Sequence, residues 1–451
     1  MYRKYPRPEK SWHLVEIGVI LFLMTLTLES MGLLHGTSFT FAKIFLMLTF
    51  PYWAIQAFLR KDPWLLLLPF KSRTSLAIGA TFVANLFSLI HLTSTEYLGG
   101  AFLRYFFLYL TVILIAQVIR QSKKTLHAML ICFAVAAAPN SVAGMGELLT
   151  HKQILKARMS GTAESMQLRA SLGGARSELA GGKGGRRVVG FSQGAGEHAI
   201  HSISYAAMAA VIPFIVRHRL ARMAAVLLVF LNMVNVVATG SRTGIIGLLL
   251  SIGVFLYFIE MRRKWLIVLA GVLGFVIAAT LFDLPLARIL QRTGAAKGTV
   301  EIRIQQFQVA FNMIQKYPLF GVGPGNYITE YHRYHQDYPW HDKVVLPGPL
   351  HNAILNQAAE GGLVGLVFFL ALLAVVFLKL YLVRKRSPDP HLRATAVAVM
   401  AAFTGWVAGL LFYPGFFDEQ GWILMGITIG LWNIHVLTLK TGIDEQGNAA
   451  S

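Results

Sequence analysis

Five arginines and one histidine hold most of the chemistry this sequence offers: Arg186, Arg187, Arg242, Arg288, Arg303 and His351. Arginine is always charged and planar, and it can grip a phosphate through two parallel N–H bonds. Arg242 lies in Gly240-Ser241-Arg242-Thr243-Gly244, a turn between two apolar runs that has no other charge. It either contacts a phosphate or snorkels at a membrane edge. Arg186 and Arg187 precede Val188-Val189-Gly190-Phe191 and a further apolar run, as a headgroup-facing pair or a second phosphate contact. His351 follows Pro347-Gly348-Pro349-Leu350 at the start of another apolar run. It is either an interfacial histidine without a role or a base that works near neutral pH. Metal chemistry is not expected. Residues 150–196 contain only Glu164 and Glu178 as acids, and no Asp-x-Asp pair falls there or in 283–349. His332, His335 and His341 lack the short helical spacing of a strong zinc motif. The one cysteine, Cys132, makes no intrachain disulfide and no cysteine cage.

These side chains belong to a chain dominated by apolar segments. Of 451 residues, 55% are hydrophobic and 14% charged, against about 25% charged in soluble domains. That excludes a large soluble enzyme and a disordered chain, and it predicts a single all-α integral membrane domain over 1–451. Twelve segments have the roughly 20 apolar residues that a spanning helix needs. They are about 12–29, 38–59, 74–92, 101–119, 125–149, 197–216, 223–239, 243–260, 265–282, 350–382, 394–413 and 419–438. Alternate connecting loops hold 22 lysines and arginines, whereas the short loops of the other side contain only Arg242. The positive-inside rule then places both termini in the cytoplasm and Arg242 outside. The net charge of +20 favours anionic phosphates, from headgroups or a phosphorylated substrate, and a chain made mostly of spans leaves nucleic acid out.

Two long loops, about 150–196 and 283–349, fall outside and contain eight and seven basic residues. Glycine pairs in the first predict an irregular, solvated linker over 160–185. Its Gly182-Lys183 is no P-loop, since Ser177 and Gly184 stand where a glycine and a Ser or Thr are required. In the second loop, between spans 9 and 10, Val300, Ile304, Phe307, Phe311 and Ile314 form the stripe of an amphipathic interfacial helix, stopped by Pro318. Arg303 borders that stripe, which makes headgroups an alternative partner for it. Tyr331, Tyr334, Tyr338 and Trp340 then read as interfacial anchors or as platforms that stack on sugars.

Order and spacing bring in a family. Pro318-Leu319-Phe320-Gly321-Val322-Gly323-Pro324-Gly325-Asn326-Tyr327 is followed by His351-Asn352 at a span opening and by Glu360-Gly361-Gly362-Leu363-Val364-Gly365. With Gly240-Ser241-Arg242-Thr243, this set resembles the bacterial O-antigen ligase superfamily, which also holds O-antigen polymerases and protein O-oligosaccharyltransferases. The resemblance implies a bacterial inner-membrane glycosyltransferase without cofactor or metal, with its site on the periplasmic face. Its donor would be a glycan on undecaprenyl diphosphate and its acceptor, in the ligase proper, lipid A–core oligosaccharide. Membrane lipids surround it.

Such a donor is already activated. The enzyme needs cations for the departing diphosphate and a group to take the proton of the attacking hydroxyl. Arg242 fits the first need best, with Arg186, Arg187, Arg288 and Arg303 as further diphosphate contacts. The resemblance assigns His351 the second role. As a residue of the first helical turn it would feel a helix dipole that disfavours a cation. Glu360, nine residues on and on the opposite helix face, reads as a structural partner of neighbouring spans, or as a functional carboxylate. Two family readings differ from the ligase only in acceptor: a polymerase and a protein O-oligosaccharyltransferase. A secondary transporter is the alternative from another class. It would be expected to show repeat symmetry and paired interrupted helices, and the sequence displays neither.

Overall fold

The computed structural model describes residues 12–26, 41–59, 73–91, 98–119, 122–150, 188–189, 191–192, 194–261, 273, 280, 296–335, 350–413 and 418–449. These residues form helices and no strand. In chain order they are α1 (Trp12–Thr25), α2 (Phe41–Leu59), α3 (Arg73–Phe87, extended by a 3₁₀ turn Ser88–His91), α4 (Leu98–Ile119) and α5 (Lys123–Thr150). There follow α6 (Ala195–Ala209), α7 (Ile212–Ile215), α8 (Arg219–Ala238), α9 (Arg242–Phe258) and α10 (Ala296–Lys316). The last five are α11 (Asn326–Thr329), α12 (Tyr331–His335), α13 (Ala353–Arg386), α14 (Pro390–Leu410) and α15 (Glu419–Ala449).

Among the described residues, helices coincide with eleven of the twelve expected segments. The remaining one, 265–282, lies outside the described residues apart from Leu273 and Thr280. Among the described residues, seven helices are long and apolar enough to cross a membrane: Ala101–Ile119, Lys123–Thr150, Ala195–Ile215, Arg219–Ala238, Ala353–Arg386, Pro390–Leu410 and Glu419–Leu439. Leu14–Thr25, Leu76–His91 and Arg242–Phe258 are shorter apolar helices. The outward faces are as apolar as the core, as lipid requires: Leu220, Met223 and Val226 on α8 are 69%, 67% and 60% exposed.

Helix α6 is the hub, packed against α5, α8, α9 and α14. Its neighbours approach closely because they present small residues, the usual means of association in lipid. Gly244 of α9 lies against Ala199, while Gly405 and Gly409 of α14 lie against Ile203 and Ile200. Tyr205 packs on Phe133 of α5 with ring centroids 5.0 Å apart.

The contacts define two ends. At one, Lys123 pairs with Asp389 at 2.6 Å, and Glu260 holds Arg384 at 2.8 Å and Arg393 at 3.0 Å. The C-termini of α9 and α13 meet there, through Arg384 Nε donating to the Phe258 carbonyl at 2.6 Å. Since α9 and α13 run side by side with α14, their N-termini, with Arg242 and His351, share the other end.

Candidate functional site

The turn that carries Arg242 is built by its own short side chains. Thr239 donates to the Val236 carbonyl at 2.6 Å, and its hydroxyl accepts the Ser241 amide at 3.1 Å. Gly240, with φ 60°, closes α8 in the left-handed region that glycine adopts without strain. Ser241 then caps α9 by accepting the Gly244 amide at 3.2 Å. Arg242 is thus the first residue of α9, and it is exposed. The guanidinium and the positive end of the helix dipole favour an anion there together.

Val188 and Val189 run beside this turn. The Val188 amide points to the Ala238 carbonyl at 3.5 Å, and the Val189 amide donates to Glu147 at 2.8 Å. Arg186, Arg187 and Arg288 lie outside the described residues.

Helix α10 forms where the periodicity predicts and ends before Pro318. Its orientation is not the simple one. Gln306, Val309, Ala310 and Met313 are buried, while Ile304 and Phe311 of the expected stripe are 50% and 53% exposed. The face with Gln306, Val309, Ala310 and Met313 packs on the protein, leaving the apolar stripe turned outward in part. Arg303 is half-buried, which pushes its guanidinium pKa down, and its Nε has no hydrogen-bond partner.

After Pro318 the glycine-punctuated turn docks onto an interruption in α13. Gly362 has φ 66° and ψ −173°, so the ladder of α13 stops there. The loop takes over its bonds. Val322 N–H donates to the Ala359 carbonyl and Gly323 N–H to Glu360, each at 3.0 Å. In return Leu363 N–H donates to Pro318 at 2.8 Å and Val364 N–H to Leu319 at 3.2 Å. An interrupted helix was not expected from the sequence.

Glu360 sits 7% exposed just before the break, and its carboxylate accepts the Tyr327 amide at 3.3 Å. The Gly325 amide and the Asn356 side chain bond to it as well. Its hydrogen-bond partners are a turn of the loop and a residue of its own helix rather than neighbouring spans. Beneath it, Gln357 donates to Asn85 of α3 at 3.1 Å.

His351 is half-buried and lies just outside α13, not in its first turn. The reason is Asn352, which caps the helix by accepting the Leu355 amide at 2.9 Å. Leu350 on the other side is 1% exposed. His351 is therefore held between a buried anchor and a cap.

The aromatics behave differently from the expectation. Tyr331 and Tyr334 are 0% and 5% exposed and lie in a small core with Val309, Met313 and Tyr327, so they are neither interfacial anchors nor open stacking platforms. Burial pushes both phenols up to about 12 and also raises that of Tyr327. His335 stacks on Tyr331 with centroids 5.5 Å apart. Tyr338, Trp340 and His341 lie outside the described residues. Among the described residues, no three His, Cys, Asp or Glu side chains are grouped so as to hold a metal ion.

Sequence reasoning missed the capping role of Asn352 and the break at Gly362. The only available signal for the break was Glu-Gly-Gly inside a span.

No curated protein matches the chain. Residues 223–370 match the family model described as O-antigen ligase. That stretch includes the Arg242 turn, α10, the docked loop, His351 and the break at Gly362. Over these residues the chain is similar to the O-antigen ligase family.

Proposed function

We propose that the protein is a lipopolysaccharide O-antigen ligase of the bacterial inner membrane. It transfers O-antigen glycan from undecaprenyl diphosphate to lipid A–core oligosaccharide on the periplasmic face. The observation that carries this reading is that Arg242 opens one helix and His351 stands just before another at the same end of the bundle, within the matched stretch.

The acceptor hydroxyl oxygen attacks the anomeric carbon while its proton passes to the His351 imidazole. The bond from that carbon to the diphosphate oxygen breaks, and the electron pair leaves with the diphosphate. Arg242 holds the growing charge, and Arg186, Arg187, Arg288 and Arg303 are the further cations proposed around it. A single displacement inverts the anomeric centre. Lipopolysaccharide profiles of a deletion strain test the reading. Loss of the O-antigen ladder with accumulation of lipid-linked glycan is expected; an intact ladder would overturn it. Accumulation of a single-repeat ladder would instead indicate a polymerase.

Two consequences can be measured on purified protein. Transfer is expected to persist in excess EDTA, because arginines take the place of a metal at the diphosphate. Loss of activity restored by magnesium would sink that mechanism. Arg242→Lys is expected to lower kcat/KM about tenfold or more, since a hydrogen bond to a charged group is worth roughly 1.5–3 kcal/mol and lysine lacks the two-pronged grip. Wild-type turnover with lysine would reduce Arg242 to a boundary anchor.

A further inference from the structure

At the end of the bundle shared by Arg242 and His351, α15 begins with a carboxylate that is only half used. Asp418 Oδ1 accepts the Gln420 amide at 3.0 Å and lies 3.3 Å from His201 Nε2 on α6. The Asp418 side chain is 6% exposed, yet its other oxygen, Oδ2, has no hydrogen-bond partner. Gln420 is 1% exposed, and both its Oε1 and its Nε2 are without partners. Buried polar groups are nearly always paired, because leaving them unpaired forfeits their hydration. Among the described residues these three polar atoms within three residues have no partner, which leaves them open to solvent or to a ligand.

The chemistry of such a ligand is narrow. A carboxylate oxygen and an amide carbonyl accept, while an amide NH₂ donates. A phosphate is repelled by Asp418, and among the described residues no three His, Cys, Asp or Glu side chains are grouped so as to hold a metal ion. A neutral group with neighbouring hydroxyls satisfies both kinds of atom. The location fits as well: Ile200, next to His201, packs on Gly409 of α14, and Ala199 lies against Gly244, two residues from Arg242.

We propose that Asp418, steadied by His201, forms with Gln420 a subsite that binds sugar hydroxyls of a glycan substrate. This rests on the glycosyl-transfer reading above, but its test separates the two.

Transfer kinetics in proteoliposomes are combined with an intrinsic-fluorescence titration using core oligosaccharide released from lipopolysaccharide by mild acid. Asp418→Asn keeps the cap acceptor but loses the charge, and Gln420→Leu removes the open amide at similar volume. Each is expected to raise KM for a glycan substrate about 10–100-fold, the worth of hydrogen bonds to a charged or buried group, with kcat within about twofold. Each is also expected to weaken the oligosaccharide titration, with the thermal midpoint of the protein unchanged. Wild-type KM values and titrations in both variants overturn the subsite, as does a fall in kcat at constant KM. A wild-type protein that binds the oligosaccharide through Asp418 yet transfers nothing overturns the transfer reading and leaves the subsite standing.

Discussion

His351→Ala is expected to slow glycan transfer by about 10²–10⁴-fold, the usual contribution of a positioned general base. Donor affinity should stay within a few-fold of wild type, because the base meets the acceptor hydroxyl and not the diphosphate. The helix start does not depend on this side chain. His351 is outside α13, so its side chain makes no part of the helix, and Asn352 keeps the cap in its absence. Leu350 remains buried beside it. The measurement is single-turnover transfer with donor binding followed separately. A variant that loses donor binding along with rate would make His351 a phosphate contact. Unchanged transfer would remove it from the site altogether.

Gly362→Ala is expected to cost on the order of 3 kcal/mol or more, and to abolish transfer along with it. Two effects combine. The backbone at φ 66° and ψ −173° is a conformation essentially reserved for glycine. A methyl there would also land on the Leu319 carbonyl, whose lone pair already takes the Val364 amide. The loop would have to leave α13, and four exchanged backbone bonds would go with it. Gly253→Ala on α9 is the control, for nothing stands within 4 Å of its added methyl. That change should be neutral or stabilise by up to about 1 kcal/mol, as in any helix interior. Thermal unfolding in detergent compares the two. Equal midpoints would mean that the break tolerates a side chain.

Much of the architecture was legible because lipid imposes a simple code. Long apolar runs gave the helices, and Pro318 and the 3.6-residue period gave α10. The site was legible in part. Arg242 and His351 stood out as charged or titratable groups at the edges of apolar runs, and both lie at the same bundle end. What stayed hidden has physical causes. A glycine in an apolar run reads as a tolerated helix residue, and nothing in hydropathy reveals that Gly362 has a positive φ. For α10 the period showed the apolar stripe, but not that a second face, with Gln306 and Ala310, packs on the protein while Ile304 and Phe311 stay outward. Asn352 escaped notice as a cap because His351 drew attention to itself. Asp418 and His201 are 217 residues apart and meet only through the packing of α6 and α15.

The interruption of α13 also sets a height. Residues 363–383 make about 31 Å of helix, enough to cross a hydrocarbon layer of roughly 30 Å without help from the turns above. The stretch 353–361 is then free of any duty to span, and its backbone is stitched to a loop instead of continuing the ladder. It works as a pedestal. Residues 353–361 make about 14 Å of helix between the break and the Asn352 cap, and His351 lies beyond that cap. An unbroken helix of the same length would have had to tilt to shorten its reach, and its first residue would have swung away with it.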